Sequence, residues 1–543
     1  MPSLQTFIHY SFAIGVVLAV PVVLTLIIQF IVLGTVSHQN ACKQKIASST
    51  KPSPNHRTYY AGFFHPYPNA GGGGERVLWT MIKAIQDKYP FIISVIYSGD
   101  NINRDTLVRN VKAKFGLNIN PDTVYIVDLK WRSWVDHKYP RLTLVMQSIG
   151  SLMLAAEAIH QFVPDIFIDT VGYAFTYPLV NLLSSNIPIV AYTHYPTISS
   201  DMQTMVSSRE SGFNNDPRIA ASPTLTNLKS IYYRVLAHAY AFSGSFADMV
   251  MTNSSWTYGH IVKLFDLPRM TSVVYPPCDT AALTEFSMNN RQNVIMSLAQ
   301  FRPEKNHSLQ LEAFAKFLKE YPQYKAPGSK AKPATEDILQ LLEGSKEVES
   351  IDYPLLVMIG GARNIEDEAR AESLRQLASS LGVNNQVYVI VNAPWSQVQL
   401  WLKHSSVGIH TMRDEHFGIN IVEMMAAGLL TIAHDSAGPK LDIISPAIRI
   451  NENALPSEAQ AQAYLKAPEE NKDFPVGMVA TTTDEFAQMI ACSINVKGPV
   501  EKALRSAARA AATTKFSEAA FSTAFYRRFN PVVRWLDSQN PDS

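Results

Sequence analysis

The stretch TYYAGFFHPYPNAGGGGERVLWTMIKAIQDKYPFIISVIYS, from Thr58 to Ser98, decides the fold of the first half of the chain. It holds two short apolar runs, a loop of four successive glycines, and a helical pattern that starts near Glu75. Apolar runs of this length between turn residues are typical of buried strands. The order strand, loop, helix, strand therefore predicts a βαβ unit with parallel strands.

Similar apolar runs recur outward from this unit. Three follow in the first half, at 123–129, 165–170 and 187–194, and five more in the second half, at 293–300, 354–361, 386–393, 407–411 and 429–435. Helical patterns lie between them, and this alternation is typical of doubly wound parallel sheets. We therefore predict an α/β fold with two Rossmann-like domains that face a cleft.

The domain bounds follow from the two series of runs. We place the first domain at 58–285 and the second at 286–513, with a surface insertion at about 322–351 that carries no chemistry. The helical stretch 514–543 lacks a following strand, so we expect it to pack back on the first domain. Residues 37–57 are polar, basic and rich in Pro and Ser, which is typical of a solvated linker.

Residues 11–36 are uncharged and mostly apolar. A helix of about 26 residues at about 1.5 Å each is longer than the roughly 30 Å hydrocarbon core of a bilayer. We predict one transmembrane helix after a short lumenal N-terminus at 1–10. A cleaved signal peptide is the alternative, but the run is too long and lacks a basic n-region. The first Lys and Arg residues, between Lys43 and Arg57, follow the run, which predicts that the remainder of the chain is cytosolic.

Two further apolar helices, 142–159 and 234–250, are candidates for lying on the bilayer or for packing within the first domain.

The formal net charge of +1 argues against a nucleic-acid partner. The three cysteines, Cys42, Cys278 and Cys492, are far apart and lack metal-ligand spacing, so a disulfide framework or zinc site is not expected.

The glycine loop NAGGGGERV, 69–77, is the first candidate site. Glycines let a phosphate or sugar approach the N–H groups at the start of a helix. The loop lacks the G-x-G-x-x-G order and a P-loop lysine, which argues against dinucleotide and ATP binding, and a flexible turn is the plain alternative. His194, in THYP at 193–196, ends a predicted strand where such sheets place their ligands, but it is also compatible with a structural histidine.

The second domain contributes two more motifs. In AQFRPEKNH, 299–307, Arg302 and Lys305 can converge on a diphosphate, although Glu304 could pair with them instead. In DEHFGINIVEMMAAGLLTIAHDSAGP, 414–439, two carboxylates at Glu415 and Glu423 have E-x7-E spacing across the start of a predicted helix. An ordinary amphipathic helix is the alternative, although Glu423 has apolar neighbours.

At these motifs the chain resembles the retaining GT-B glycosyltransferase family, and within it the endoplasmic-reticulum α-1,2-mannosyltransferases that extend a dolichol-diphosphate-linked oligosaccharide. The resemblance covers nearly the whole chain after the anchor. It implies a GDP-mannose donor, a Man3GlcNAc2 acceptor on dolichol diphosphate, and addition of two α-1,2-linked mannoses at the cytosolic face. It also implies no cofactor or obligatory metal. Other mannosyltransferases that act on lipid-linked oligosaccharides are the protein partners that it suggests.

The resemblance also implies residue roles. Arg302 and Lys305 would bind the diphosphate, Glu415 the donor mannose and Glu423 the ribose, while His194 would approach the transferred sugar. Further donor-binding positions are Gly72, Gly73, Gly74, Gly361, Phe417, Gly418 and Ile419. The family's Arg and Lys are usually further apart in sequence than the three positions here. The resemblance therefore leaves open which diphosphate oxygens Arg302 and Lys305 each contact. A transferase with a UDP-sugar donor and a non-catalytic nucleotide-sugar-binding subunit are the alternatives.

Overall fold

The computed structural model describes two parallel sheets and their surrounding helices. The described residues are 36–52, 56–136, 139, 142–184, 187–198, 202, 206, 208–209, 221–327, 332–344, 351–450 and 455–539. Two compact units divide them. The first unit comprises the described residues of Met1–Asn253, Thr257–Val274 and Ser522–Ser543, and the second comprises Ser254–Trp256 and those of Tyr275–Phe521.

The sheet of the first unit is fully parallel in the order β3-β2-β1-β4-β5-β6-β7. Its strands are β1 Tyr59–Phe64, β2 Ile92–Ser98, β3 Val124–Asp128, β4 Ile166–Asp169, β5 Ile189–Thr193, β6 Met249–Thr252 and β7 Thr271–Val273. Every residue of β1, β2, β4 and β5 is buried, as expected for central strands covered on both faces. The chain reverses direction across the sheet between β1 and β4, which is the switch point where such folds bind ligands.

The sheet of the second unit repeats this arrangement in the order β10-β9-β8-β11-β12-β13. Its strands are β8 Gln292–Leu298, β9 Leu355–Gly360, β10 Val387–Val391, β11 Ser405–His410, β12 Leu430–His434 and β13 Met478–Ala480. The pairing Met296↔Gly408 places the ends of β8 and β11 side by side at its switch point. The two Rossmann-like folds are confirmed, while the cleft between them stays a prediction.

Helices alternate with the strands in both units. In chain order they are α1 Val36–Ser49, α2 Gly73–Lys88, α3 Arg104–Phe115, α4 Thr143–Gln161, α5 Tyr177–Leu183, α6 Pro223–Gly244, α7 Ser255–Phe265, α8 Ala281–Thr284, α9 His307–Glu320, α10 Thr335–Leu342, α11 Ile365–Ser380, α12 Trp395–His404, α13 Ile419–Ala427, α14 Glu458–Lys466, α15 Thr483–Asn495, α16 Gly498–Phe516 and α17 Glu518–Ser538. Helix α2 is representative, because Val77, Leu78, Met81 and Ile85 share one buried face at helical spacing.

Most of helix α17 is grouped with the first unit. The Tyr59 hydroxyl donates to Asp537 Oδ1 at 3.0 Å, and the Tyr526 hydroxyl donates to the Ala84 carbonyl at 2.9 Å. The chain passes into the second unit at Tyr275, earlier than the 285/286 boundary expected from the sequence.

Two local expectations differ from the structure. The helix expected at 234–250 ends at Gly244, and β6 begins at Met249. Gly244 packs so tightly on Phe265 that a Cβ would lie 2.1 Å from its ring, a tertiary contact that the local pattern does not reveal. The solvated linker expected at 37–57 contains helix α1, whose Gln39 amide donates to the His160 carbonyl at 3.2 Å and whose Ile46 is buried.

Residues 1–35, which include the predicted lumenal N-terminus and nearly all of the predicted anchor, lie outside the described residues. Across the part of the chain that is described, no helix combines the length and apolar character needed to cross a bilayer.

Candidate active site

The loops that follow β8 and β11 bring three charged or ionisable side chains together. Lys305 Nζ forms an ion pair with Glu415 Oε2, and the same oxygen accepts a hydrogen bond from His410 Nε2 at 3.0 Å. These strands are neighbours in the sheet, so residues 110 positions apart meet at its carboxyl edge. The sequence predicted Lys305 and Glu415 as site residues, and the structure joins them directly.

Electrostatics keep the Glu415 carboxyl group ionised. Burial alone would raise its pKa, but the Lys305 ammonium and the hydrogen bond from His410 outweigh burial and hold the pKa of Glu415 well below its usual range. Burial lowers the pKa of His410, so its imidazole is neutral. Lys305 and Glu415 thus present one positive and one negative group side by side at the switch point.

Arg302 lies in the same loop as Lys305. Its guanidinium stands 3.6 Å from Glu304 Oε1, the pairing that the sequence left open, and about a third of the side chain is exposed. Its Nε is buried with no hydrogen-bond partner among the described residues. The Phe301 N–H donates to the Gly361 carbonyl at 3.1 Å, which brings the Arg302 loop close to Gly361 at the end of β9.

Helix α13 begins directly after the Glu415 loop. Gly418, its N-cap, has φ +110°, a backbone region that disfavours side chains. The first turn, from Ile419, contains no acidic residue, so the positive end of the helix dipole is not neutralised from within the helix. Glu423 lies partly buried on the second turn, and Phe417 is buried against Tyr275 and Phe516.

Three arginines cover the other end of α13. Arg505 donates to the Gly428 carbonyl at 2.7 Å, Arg509 donates to the Ala426 carbonyl at 2.9 Å, and Arg291 donates to the Ala427 carbonyl. Burial first, and then the neighbouring Arg505 and Arg509 guanidinium groups, lower the pKa of Arg291 to about 9. Cations at a helix C-terminus satisfy its last carbonyls and favour its dipole, so this cluster supports the helix whose start lies beside Glu415.

The first unit has its own polar cluster at the carboxyl ends of β1, β4 and β5. The His194 Nε2–H donates to the Thr170 carbonyl at 3.2 Å, and the Thr170 hydroxyl donates to His65 Nδ1 at 2.8 Å. His65 Nε2 in turn donates to Glu75 Oε1 at 3.3 Å. Two histidines and a carboxylate are therefore linked through one threonine.

The glycine loop belongs to this cluster. Gly74 lies beside His194, because a Cβ on Gly74 would stand 3.6 Å from its Nε2. The Gly72 N–H donates to Glu75 Oε2 at 2.5 Å, so the helix supplies its own anion at the N-terminus of α2. This arrangement disfavours a phosphate at Gly72–Gly74 and is compatible with an uncharged sugar there.

Several residues of these clusters were missed from the sequence. His410 ends a predicted strand in the same way as His194, so the strand-end rule that selected His194 could have selected His410 as well. His65 follows β1 directly and could have been found by the same rule. The three arginines carry no local signal, because their roles depend on strands and helices distant in sequence.

Comparisons with known proteins find glycosyltransferase relatives. A family model described as "ALG11 mannosyltransferase N-terminus" matches residues 58–265, and one described as "Glycosyl transferases group 1" matches 334–470. The human GDP-Man:Man(3)GlcNAc(2)-PP-Dol alpha-1,2-mannosyltransferase is 38% identical over 490 residues, covering 89% of this chain and 88% of its own. The Xenopus tropicalis protein of the same name is 42% identical, covering 71% of this chain and 74% of its own.

Solved structures share the fold at low sequence identity. The crystal structure of Anabaena HepE with UDP and glucose has a TM-score of 0.51 at 14% identity, covering 87% of this chain and 99% of that one. A UDP-forming trehalose-phosphate synthase from Burkholderia xenovorans has a TM-score of 0.55 at 11% identity, covering 88% and 99%. These two likenesses support the GT-B fold alone.

Proposed function

This chain belongs to the ALG11 mannosyltransferase family, and we propose that it transfers mannose from GDP-mannose, with retention, onto dolichol-diphosphate-linked Man3GlcNAc2. It would add two α-1,2-linked mannoses at the cytosolic face of the endoplasmic reticulum. The observation that carries this proposal is the Lys305–Glu415–His410 cluster beside the start of α13.

The donor would lie along the carboxyl edge of the second sheet. Arg302 and Lys305 are the cations for the diphosphate, whose negative charge grows as the sugar leaves. Glu415 is an ionised acceptor for mannose hydroxyls, and Glu423, one turn into α13, is an acceptor for the ribose. The start of α13, from Phe417 to Ile419, supplies backbone N–H groups.

In the transfer step, the oxygen of an acceptor hydroxyl bonds to C1 of the mannose as the bond from C1 to the diphosphate breaks. We propose that the departing phosphate oxygen takes the hydroxyl proton, so that no covalent enzyme intermediate forms. His194 would contact the transferred sugar. Because Arg302 and Lys305 supply the positive charge at the leaving group, we propose that no metal is needed, and full activity in excess chelator is the expected result.

The direct test is to incubate the purified full-length chain with GDP-mannose and a lipid-linked trimannosyl acceptor and to size the released glycan. We expect growth by two hexoses, sensitive to an α-1,2-mannosidase. Equal or better transfer from UDP-glucose or UDP-N-acetylglucosamine would replace the donor assignment. Donor binding without transfer would instead favour a nucleotide-sugar-binding subunit.

We further propose that the chain is anchored in the membrane by residues 11–36 and that helix α6 lies on the bilayer surface. Ile231, Val235 and Phe242 lie on the solvent-facing side of α6 and are 50 to 63% exposed. The helix contains no carboxylate and carries Lys229 and Arg234. An exposed apolar line with basic neighbours suits an anionic lipid surface.

Photo-crosslinking tests this membrane contact. The full chain in vesicles with a photoactivatable phospholipid should yield lipid adducts on peptides that cover 223–244. Helix α15, Thr483–Asn495, serves as the control and should stay unlabelled. Labelling of α15 but not of α6 would contradict the orientation.

A further inference from the structure

Four polar side chains form a continuous line at the switch point of the second sheet. Asn420 Nδ2 lies 3.0 Å from His410 Nδ1, His410 Nε2 lies 3.0 Å from Glu415 Oε2, and Glu415 pairs with Lys305. His410 is the last residue of β11 and is 1% exposed. Asn420 is the second residue of α13. The line therefore ties the start of the helix to the strand and to the loop that carries Glu415.

The partners determine the direction of every hydrogen bond in this line. Asn420 Nδ2 also lies 2.5 Å from the Leu298 carbonyl oxygen, and a carbonyl can only accept, so the amide nitrogen must face both Leu298 and His410. His410 Nδ1 then accepts a hydrogen from Asn420. The proton of the neutral ring consequently resides on Nε2, which donates to the carboxylate of Glu415.

The surroundings of His410 favour this neutral ring. Lys305 approaches from the loop after β8, His307 from the start of α9 and His434 from the end of β12. Burial lowers the pKa of His307 to about 3, and burial also lowers the pKa of His434, so neither carries charge near neutral pH. Protonation of His410 Nδ1 would break the bond from Asn420 and would place a second cation beside Lys305.

We propose that His410 is a positioning residue, which Asn420 locks in the Nε2–H form so that it holds one Glu415 oxygen and directs the other to the donor sugar. The hydrogen bond from His410 and the ion pair with Lys305 both engage Oε2. Among the described residues no hydrogen bond to Oε1 is found, so Oε1 is the oxygen that accepts from a hexose hydroxyl. This inference rests on the proposed function, in which Glu415 binds the transferred sugar.

The test uses a matched pair of variants in the full-length chain. His410→Gln places an amide N–H near the position of Nε2 and can still reach Glu415, whereas His410→Asn reaches only the position of Nδ1. For each protein we would measure turnover with the lipid-linked acceptor and the affinities for GDP and for GDP-mannose. The ratio of the two affinities reports the contact with the sugar alone.

We expect His410→Asn to lose about tenfold to hundredfold in turnover, by analogy with the loss seen when a partner that orients a metal ligand is removed. It should also lose most of its preference for GDP-mannose over GDP, with GDP affinity unchanged. His410→Gln should keep turnover within about threefold of wild type, because the donor to Glu415 remains. Equal loss in both variants, or a parallel loss of GDP affinity, would reduce His410 to a packing role.

A second measurement uses only the wild-type chain, so it tests the proposal even if the substitutions unfold the protein. In wild type labelled with ¹⁵N-histidine, the His410 resonances should show a protonated Nε2 and a bare Nδ1 from neutral to mildly acidic pH. A protonated Nδ1 would overturn the proposal. Failure of the proposed function is separate, since it would appear as absent mannose transfer by the wild type, whereas failure of this inference appears only in the variants or in the tautomer.

Discussion

The two units use the same strand order around their switch points, yet the helix that starts at each switch point is treated in opposite ways. In the first unit, Glu75 supplies a carboxylate to the N-terminus of α2. In the second unit, the first turn of α13 has no acidic residue, and three arginines cover its C-terminus. The first helix carries its own carboxylate at its first turn, whereas the carboxylate beside the start of the second, Glu415, lies outside the helix and is paired with Lys305.

This difference supports the proposed division of roles between the two units. A helix N-terminus binds an anion only where no side chain has taken that place. The diphosphate of a nucleotide sugar therefore suits the second unit, where Arg302 and Lys305 add charge. The first unit offers histidines and a glycine loop, which suit the hydroxyls of a sugar. Each prediction below changes one element of this contrast.

The largest effect is expected when the arginine cluster is broken. Arg505 is 2% exposed and donates to the Ser406 and Gly428 carbonyls and to Glu501. Arg505→Met should reduce the local stability of α13 by about 3–5 kcal/mol, because it leaves Glu501 and two carbonyls without their partner. Amide hydrogen exchange of Ile419–Ala427 measures this directly. Lys502→Met, an exposed change on the same helix, is the control, and equal exchange in both variants would refute the supporting role.

The second largest effect is expected when the positive charge that stabilises the leaving group is removed. Lys305→Ala should lower turnover at saturating donor by about 100- to 1000-fold, the usual effect of deleting one electrostatic contact to a developing negative charge. Lys319→Ala, an exposed lysine of α9, should leave turnover unchanged. Unchanged turnover of Lys305→Ala with bound donor would show that the second unit does not stabilise the leaving group through this residue.

The two sheets could be predicted from the sequence, because central parallel strands are buried on both faces and are therefore continuous apolar runs. The runs at Tyr59–Phe64 and Leu355–Gly360 are apolar throughout, and their burial confirms the expectation. The first two residues of the short strand Met249–Thr252 were wrongly taken as the end of a helix, because its three successive apolar residues, Met249 to Met251, fit both the helical and the strand period. Its assignment depends on pairing with β5, which local sequence does not encode.

The residues of the candidate site likewise fall into those that the sequence predicts and those that it does not. Lys305 and Glu415 were predictable, since charged residues at strand ends of a parallel sheet meet at one edge. The arginine cluster was not, because Arg505 lies in an alanine-rich helix that looks solvated along one side. Its burial follows from packing against the ends of α13 and β11, which are about 80 to 100 residues away.

A smaller effect is expected at the ribose contact. Glu423→Ala should raise the KM for GDP-mannose about tenfold with little change in kcat, because the ribose is held equally in the ground and transition states. Initial rates over a range of donor concentrations separate the two constants. Glu312→Ala, an exposed acidic residue on α9, should leave both unchanged. A fall in kcat alone would argue that Glu423 acts on the reacting sugar instead.

The smallest effect concerns the carboxylate that neutralises α2. Burial would raise the pKa of Glu75, but hydrogen bonds from His65 and Gly72 outweigh it, so the pKa of Glu75 lies below its ordinary value. Its stabilising contribution is therefore present above the unfolded pKa of about 4.3 and is lost as the pH falls through the lower folded value. Glu75→Gln should destabilise α2 by about 1 kcal/mol at pH 7, and the difference from wild type should shrink below about pH 4. Hydrogen exchange of Gly73–Lys88 at the two pH values measures it, and a difference that grows on acidification would mean that Glu75 is protonated in the folded protein and that the start of α2 is open to an anion after all.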